Sequence, residues 1–385
     1  MQKIVSFHTG EYESDPEVTV AVPGRFHLLG EHTWFAKGNT LSMAINYDLF
    51  LCMSSRTDQN YRLYSVSLGE RKKISASNLK YRKEDRWANS VKAVISSFVE
   101  YGIQVPGLNI TILSEIPADA GLGTPNALKV ATGIALRKLY APTLNDATLV
   151  SLIERANVQF LKTNSHRADI LCAMYGKKDH CVRTDHHKIT ADLVPFPKEG
   201  YSIILTDSRV PRLLAREELA LRIQECVRAY ETVKASPDAP ADFNLLTESI
   251  LEEITDIPES VRRRVLFIIR ESVSVSDAVT ALTNREFVTF SRIVNRSHEG
   301  LRDRFEISCP ELDWLVKRAL EFVIPDVPDL VCSRMTGRGF GGCTYAIIRS
   351  SDVETYAQKM EEYERIFGFK PVRYPVAPSD GARIL

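Results

Sequence analysis

Three glycine-containing segments hold the residues best suited to chemistry. The first, Pro23-Gly-Arg-Phe-His-Leu-Leu-Gly-Glu-His-Thr33, gathers a guanidinium (Arg25), a carboxylate (Glu31) and an imidazole (His32) around what reads as a turn after a strand. Such a trio can bind a polyhydroxyl ligand or stabilise transferred charge; the same residues would equally make a surface salt bridge beside a turn. The second, Pro117-Ala-Asp-Ala-Gly-Leu-Gly-Thr-Pro-Asn126, leads into a helical pattern. A glycine turn feeding a helix N-terminus offers backbone N–H groups and the positive dipole end to phosphate. No Gly-Lys-Ser/Thr closes it, so it is not a Walker A loop. Read as plain structure, Thr124 is an N-cap and Pro125 the first helical residue. The third, Met335-Thr-Gly-Arg-Gly-Phe-Gly-Gly-Cys-Thr344, has four glycines in six residues. It allows a ligand or a second strand to approach the backbone closely, and it is equally a tight turn into the strand that follows.

The elements that must position these segments are mixed. Val18–Val22, Leu49–Ser54, Leu108–Leu113, Ser202–Thr206 and Thr344–Ile348 read as strands from their β-branched and apolar content. Trp87–Tyr101 places Val91, Val94, Ile95, Phe98 and Val99 at helical spacing. Asn126–Tyr140 and Arg212–Ser236 also read as helices, the latter ending at the turn 236–240, and Pro258 to about Glu321 is mostly helical. Without regular βαβ alternation the fold class is α+β. One boundary, at the turn Val194-Pro-Phe-Pro197, divides the chain into domains 1–195 and 196–385.

The 385 residues suffice for two domains, with 44% apolar and 25% charged residues. Lys+Arg and Asp+Glu are both 49, which argues against a general nucleic-acid footprint. Seven cysteines form no CxxC pair, and their odd number suggests reduced thiols. No apolar run reaches the roughly 18–20 residues of a membrane span, and the first residues lack a signal-peptide pattern. The expectation is a cytoplasmic protein with neither membrane nor nucleic-acid partners.

Taken together and in order, the segments resemble the galactokinase family of the GHMP small-molecule kinases. The first is similar to the family's GR-x-N-L-I-G-E-H-T-D-Y signature, the second lies where the family has its serine-rich GL-x-S-S-A loop, and the third resembles MTGAGFGG. Trp87-Ala-Asn-Ser-Val-Lys-Ala-Val94 resembles a WANYVKGV helix. Ser297-His-Glu-Gly-Leu-Arg-Asp303, Ile307-Ser-Cys-Pro-Glu-Leu-Asp313 and the ending Ser379-Asp-Gly-Ala382 also match family stretches. The resemblance implies a two-domain GHMP-kinase fold with the active site between the domains, and phosphoryl transfer from MgATP to the anomeric hydroxyl of galactose. It assigns Asp169 as the residue that orients or deprotonates the sugar hydroxyl, with Gly176 supporting the register, and Arg25 as its ion partner. Taken alone, Asp169 would read as a solvated acid in a helix's first turn. The resemblance implies sugar contacts from Glu31, His32 and the positions of Trp34, His166 and Leu219. Nucleotide contacts would come from Trp87, Ser90, Gly121, Leu122, Gly123, Thr124, Pro125, Asn126, Gly337 and Gly339.

Several positions depart from the pattern. Pro125 replaces the magnesium-holding serine of the phosphate loop and Asn126 the neighbouring alanine; Asn157 replaces the metal-binding glutamate. Proline has neither hydroxyl nor N–H, and an amide is a weaker Mg²⁺ ligand than a carboxylate. Trp34 replaces an aspartate, Leu219 a tyrosine, His166 a glycine, Ser90 a tyrosine and Arg338 a small residue. Lost hydroxyl partners weaken sugar discrimination, whereas Arg338 either crowds the nucleotide or pairs with its phosphates. Two readings follow. One is a sugar kinase with altered specificity that uses the magnesium carried by ATP. The other is a non-catalytic relative acting as ligand sensor or as scaffold for a protein partner. An isoprenoid or small-acid kinase of the same superfamily fits less well, because those enzymes lack the CPELD stretch and the C-terminal ending.

Overall fold

The computed structural model describes residues 2–197, 199–236, 239–324 and 329–385. Contacts divide it into two compact units, and neither is one continuous stretch of chain. The first comprises Met1–Arg25, Ala44–Lys177 and Ser379–Leu385; the second comprises Phe26–Met43 and Lys178–Pro378. A single cut at 195 does not describe this division, because an early segment belongs to the second unit and the C-terminal tail to the first.

The strands of one sheet run in the order Arg383–Ile384, Val18–Leu29, Asn39–Arg56, Gly107–Ser114, Asn60–Ser65, Glu70–Ser75. Leu49 to Arg56 pairs antiparallel with Ser114 to Gly107, and Tyr61–Ser65 pairs parallel with Leu108–Ile112. Helix Ala88–Glu100 buries Val91, Val94, Ile95 and Phe98, four of the five apolar positions its 3.6-residue period had marked, whereas Val99 is exposed. Fully burying each such side chain contributes about 1.5–3 kcal/mol.

Helices Thr124–Tyr140 and Arg167–Tyr175 carry the chemistry-bearing residues of the first unit. The C-terminal tail braces the second of them. Gly381 N–H donates to the Gly176 carbonyl at 2.6 Å and Ala382 N–H to that of Ala173 at 2.8 Å. Gly176 must be glycine for this packing, since a Cβ there would stand 2.4 Å from that of Ala44. The sequence reading passed over helix Gln2–Tyr12, whose His8 is buried between the hydroxyls of Thr111 and Ser54, 3.0 Å from each.

The second unit holds a four-stranded antiparallel sheet in the order Val372–Val376, Tyr201–Asp207, Cys343–Arg349, Cys332–Thr336. It also contains the hairpin His180–Asp185/Thr190–Pro195, whose first strand pairs with Asn39–Ser42. Helices Glu259–Thr283, Phe287–Asp303 and Pro310–Leu320 account for the helical stretch read from 258 to 321.

The helix expected over Arg212–Ser236 spans Ala215–Val233, and part of the expected turn after it, Pro237 and Asp238, lies outside the described residues. The described cysteines are all free thiols.

Two local expectations need correction. Pro23-Gly24 does not end the first strand, which continues to Leu29; the turn comes at Gly30, with φ of 78°. The strand tolerates Gly24 because a Cβ there would press to 3.0 Å on the Leu122 carbonyl oxygen. The N-cap of the helix after the second glycine segment is Gly123, at φ of 93°, so Thr124 is already helical. Only glycine adopts that backbone without strain, and no side-chain cap is made.

Candidate functional site

In the first unit one carboxylate gathers the polar groups. Asp169 sits in the first turn of Arg167–Tyr175 and is 5% exposed, so it is not a solvated helix-start acid. Arg25, on the strand, grips it with two bonds: Nε to Oδ1 at 2.6 Å and Nη2 to Oδ2 at 2.9 Å. The same guanidinium donates from Nη1 to the Gly121 carbonyl at 2.9 Å, and Arg25 N–H donates to the Leu122 carbonyl at 2.9 Å. Arg25 therefore fixes both the carboxylate and the glycine loop. Gly123 lets the Arg25 side chain lie close, since a Cβ there would stand 3.3 Å from its Cγ and 3.4 Å from the guanidinium carbon. Asn126 donates from Nδ2 to Asp169 Oδ2, and His166, the left-handed N-cap of the Asp169 helix, places Nδ1 3.5 Å from the same oxygen.

Behind Asp169 lies a residue the sequence reading missed. Lys129, on helix Thr124–Tyr140, is 3% exposed and donates from Nζ to Asn157 Oδ1. Burial lowers its pKa to about 8, while the charge of Asp169 opposes the fall, so it stays mainly protonated near neutral pH. Asn157 is buried in a π-helical turn, Ala156–Phe160, and its Nδ2 donates to the Ser165 carbonyl at 2.8 Å. Single π-turns of this kind often mark functional positions.

These residues do not suit a Mg²⁺ held by the protein. Asn157 already offers its oxygen to an ammonium, Pro125 supplies no oxygen from its side chain, and Lys129 adds positive charge. Among the described residues no group of three or more His, Cys, Asp or Glu is placed to hold a metal ion.

Trp87 and Ser90 stand at the start of helix Ala88–Glu100. The Trp87 indole N–H donates to Glu70 Oε2 at 2.9 Å, and Ser90 is buried. Gly121 is exposed at the loop, Leu122 is buried beneath it, and Thr124 and Pro125 open the helix.

The second unit contains Glu31, His32, Trp34, Leu219 and the third glycine segment. Glu31 is committed to its surroundings. Its two oxygens accept from Arg334 Nη1 and Nη2, each at 2.8 Å, and Oε1 also accepts from Gly337 N–H at 3.1 Å. Arg334 is fully buried, reaches Glu271 Oε1 at 3.0 Å and donates from Nε to Ser297 Oγ at 2.8 Å. Glu271 closes the network by accepting Gly30 N–H at 2.9 Å. Burial alone would raise the Glu31 pKa, but the Arg334 guanidinium outweighs it and holds the value at about 2. Burial lowers the His32 pKa to about 4 against the pull of Glu31, and its Nε2–H donates to the Gly337 carbonyl at 3.1 Å, which places a proton on Nε2. Trp34 begins a short 3₁₀ turn, edge-on to Phe35 at 5.8 Å. Leu219 packs beside the cluster containing Phe305, Ile307 and Met335. Arg338 is exposed at the loop.

The third segment is a turn stabilised from below. Phe340 N–H donates to the Ile307 carbonyl at 2.7 Å. Gly337 and Gly339 have φ of 88° and 80°. A Cβ on Gly339 would stand 2.1 Å from the Ile307 oxygen, whereas one on Gly337 meets nothing within 4 Å. Gly337→Ala is expected to cost only the left-handed penalty of about 1–2 kcal/mol. Gly339→Ala must also displace backbone and should cost more, on the order of 3 kcal/mol or above. Thermal melts of the two variants check the ranking.

The missed residues share one trait: their charges lie inside apolar runs. Lys129 interrupts Ala127-Leu128 and Val130-Ala131, and Arg334 lies on a wholly buried strand. A buried charge must be paired, and that is the signal that could have found them.

Comparisons with known proteins bear on the whole chain. Residues 6–55 match the galactokinase galactose-binding signature, residues 89–177 the GHMP kinase N-terminal domain and residues 278–365 the GHMP kinase C-terminal domain. The chain is 62% identical over 385 residues to a Treponema pallidum (strain Nichols) protein described as "Putative galactokinase", covering 100% of this chain and 97% of that protein. It is 31% identical to the galactokinase of Clostridium acetobutylicum, covering 94% of this chain and 93% of that one. The crystal structure of Lactococcus lactis galactokinase complexed with galactose superposes with a TM-score of 0.91 at 23% identity, covering 100% of this chain and 99% of that one. The Methanococcus jannaschii mevalonate kinase reaches 0.64 at 14% identity, covering 94% and 98%.

Proposed function

Because the chain belongs to the galactokinase family of GHMP kinases, we propose that it transfers the γ-phosphoryl group of ATP to the anomeric hydroxyl of galactose or a closely related sugar. The observation that carries this reading is the two-point Arg25–Asp169 pair with Arg25 also bonded to the glycine loop. In the reaction the sugar C1 oxygen forms a bond to the γ-phosphorus as the bond from that phosphorus to the β,γ-bridging oxygen breaks. The products are sugar 1-phosphate, ADP and a proton. Asp169, paired at both oxygens with Arg25, accepts the hydrogen bond of the attacking hydroxyl and orients its lone pair. Arg25, bonded to Asp169 and to the loop, keeps a positive charge near the transferred group. Gly121, Leu122, Gly123 and Thr124 offer backbone donors at a helix N-terminus, where phosphate is favoured; Pro125 removes one donor from that set. Magnesium enters with the nucleotide as part of the substrate.

Substrates are thus a small sugar and ATP. Use of ATP, the seven free thiols and the absence, among the described residues, of a helix long and apolar enough to cross a membrane support a cytoplasmic setting. On the sugar side, Trp34 stands where the family has a carboxylate and Leu219 where it has a hydroxyl, which favours a sugar with fewer or displaced hydroxyls over galactose. The test is ATP consumption with a panel of hexoses and deoxyhexoses and their 1-O-methyl glycosides. Turnover with at least one free sugar and none with its methyl glycoside is expected. Turnover with the methyl glycoside would exclude C1 as the acceptor. No turnover with any sugar would favour a non-catalytic ligand sensor.

A further inference from the structure

We infer that the Lys129 ammonium, rather than a divalent ion held by the protein, is the resident cation of the phosphoryl-transfer site. The inference rests on the phosphoryl-transfer reading above and concerns only how charge is supplied there.

Three observations converge on it. The position expected to bind metal, Asn157, is buried and turns its oxygen to Lys129 Nζ while its amide nitrogen is spent on the Ser165 carbonyl. Lys129 is itself buried, on the helix that begins at the glycine loop and one turn beyond Asn126. Long side chains on a helix point back toward its N-terminus, so the ammonium is directed to the end where phosphate is favoured. Third, Asn126 is 6% exposed; its Nδ2 is bonded to Asp169, but its Oδ1 is buried with no hydrogen-bond partner. A neutral oxygen, an amide oxygen already taken and an ammonium make a poor nest for a hard dication, which needs charged oxygen ligands. They make a workable one for a fixed monocation, which has three donors and needs neutral acceptors.

With an amide in place of the metal-binding carboxylate, the positive charge of a protein-held metal is lost from the site. The Lys129 ammonium supplies a positive charge there instead, and the carboxylate of Asp169 lies near enough to raise the Lys129 pKa against burial. The consequence concerns the nucleotide. Its phosphates should be held without any metal contact from the protein, and affinity should depend on magnesium only as far as magnesium changes the nucleotide itself.

The test has two arms. In the first, Mn²⁺ is titrated into the nucleotide-free protein and the free ion is followed by electron paramagnetic resonance, which requires neither turnover nor nucleotide binding. The wild type is expected to show no saturable site, and Lys129→Glu, which puts a hard oxygen ligand beside Asn157, is expected to gain one. A wild-type Mn²⁺ site abolished by Asn157→Ala would overturn the inference, as would a folded Lys129→Glu that gains none. In the second, ATP is titrated calorimetrically in EDTA. Lys129→Gln keeps a hydrogen-bond donor without the charge, so it serves if Lys129→Glu fails to fold, and it should weaken binding roughly tenfold. Unchanged affinity would overturn the inference. If the wild type binds no ATP at all, the proposed kinase activity fails, while the Mn²⁺ arm still decides the cation.

Discussion

Asp169→Asn is expected to lower kcat by roughly 10²–10⁴-fold while ATP affinity changes little. The substitution preserves size and one acceptor oxygen but removes the negative charge that aligns the hydroxyl. It also leaves the Arg25 guanidinium, 13% exposed, without its ionic partner. Removing one member of a largely buried pair costs about 3–5 kcal/mol, softened here by the remaining bond to Gly121. Stability and kcat should therefore be measured on the same samples. A loss of kcat in protein that still melts cooperatively assigns Asp169 to the reaction. Arg25→Lys should also fail, because an ammonium cannot span both Asp169 oxygens and the loop carbonyl at once.

Arg334→Met should be the most damaging change to stability, with a cost of about 3–5 kcal/mol. It leaves Glu31 and Glu271, 4% and 2% exposed, without their shared cation, and it frees Ser297 Oγ from the Nε donor. The effect has a pH signature. Glu31 has a folded pKa of about 2 against an ordinary carboxylate value of 4.5. Its contribution is thus fully present above about 4.5 and is lost as pH falls through about 2. Without Arg334, burial, the largest influence on Glu31, is opposed only by the Gly337 N–H and the neighbouring His32 and His27, so the Glu31 pKa and the acid limit of the variant should move upward. Denaturant titrations of wild type and Arg334→Met from pH 7 downward read both effects. A variant as stable as wild type at every pH would show that the network is not a source of stability.

The sequence revealed the local periodicities well. The buried face of Ala88–Glu100, the strands around Leu49–Ser54 and Leu108–Leu113, and the helix after the second glycine segment were all visible in spacing, because each depends on neighbours a few residues away. Pro23-Gly24 misled because that pair usually breaks a strand; here Gly24 is needed for the close approach of the Leu122 carbonyl, a residue nearly a hundred positions on. The assignment of the early segment Phe26–Met43 to the second unit was equally hidden, since strand pairing such as Asn39 with Asp185 leaves no local trace.

The candidate site divides the same way. Arg25 and Asp169 came from family likeness, and spacing alone would have left Asp169 as a solvated acid. Glu31 and His32 were legible as a polar pair, but their partner Arg334 is some three hundred residues away. Lys129 was passed over because one lysine in a helix is ordinarily a surface residue. Its burial is set by Asn157 and Asp169, which the fold alone brings together.

The central claim is phosphoryl transfer to a sugar C1 oxygen at Asp169. The most direct measurement is the ³¹P NMR spectrum of the protein incubated with ATP, magnesium and galactose or the best sugar of the panel. The account expects a sugar phosphate resonance coupled to the anomeric proton, growing in step with ADP and absent with Asp169→Asn. Unchanged ATP with every sugar, or ADP and inorganic phosphate with no sugar phosphate, would contradict it.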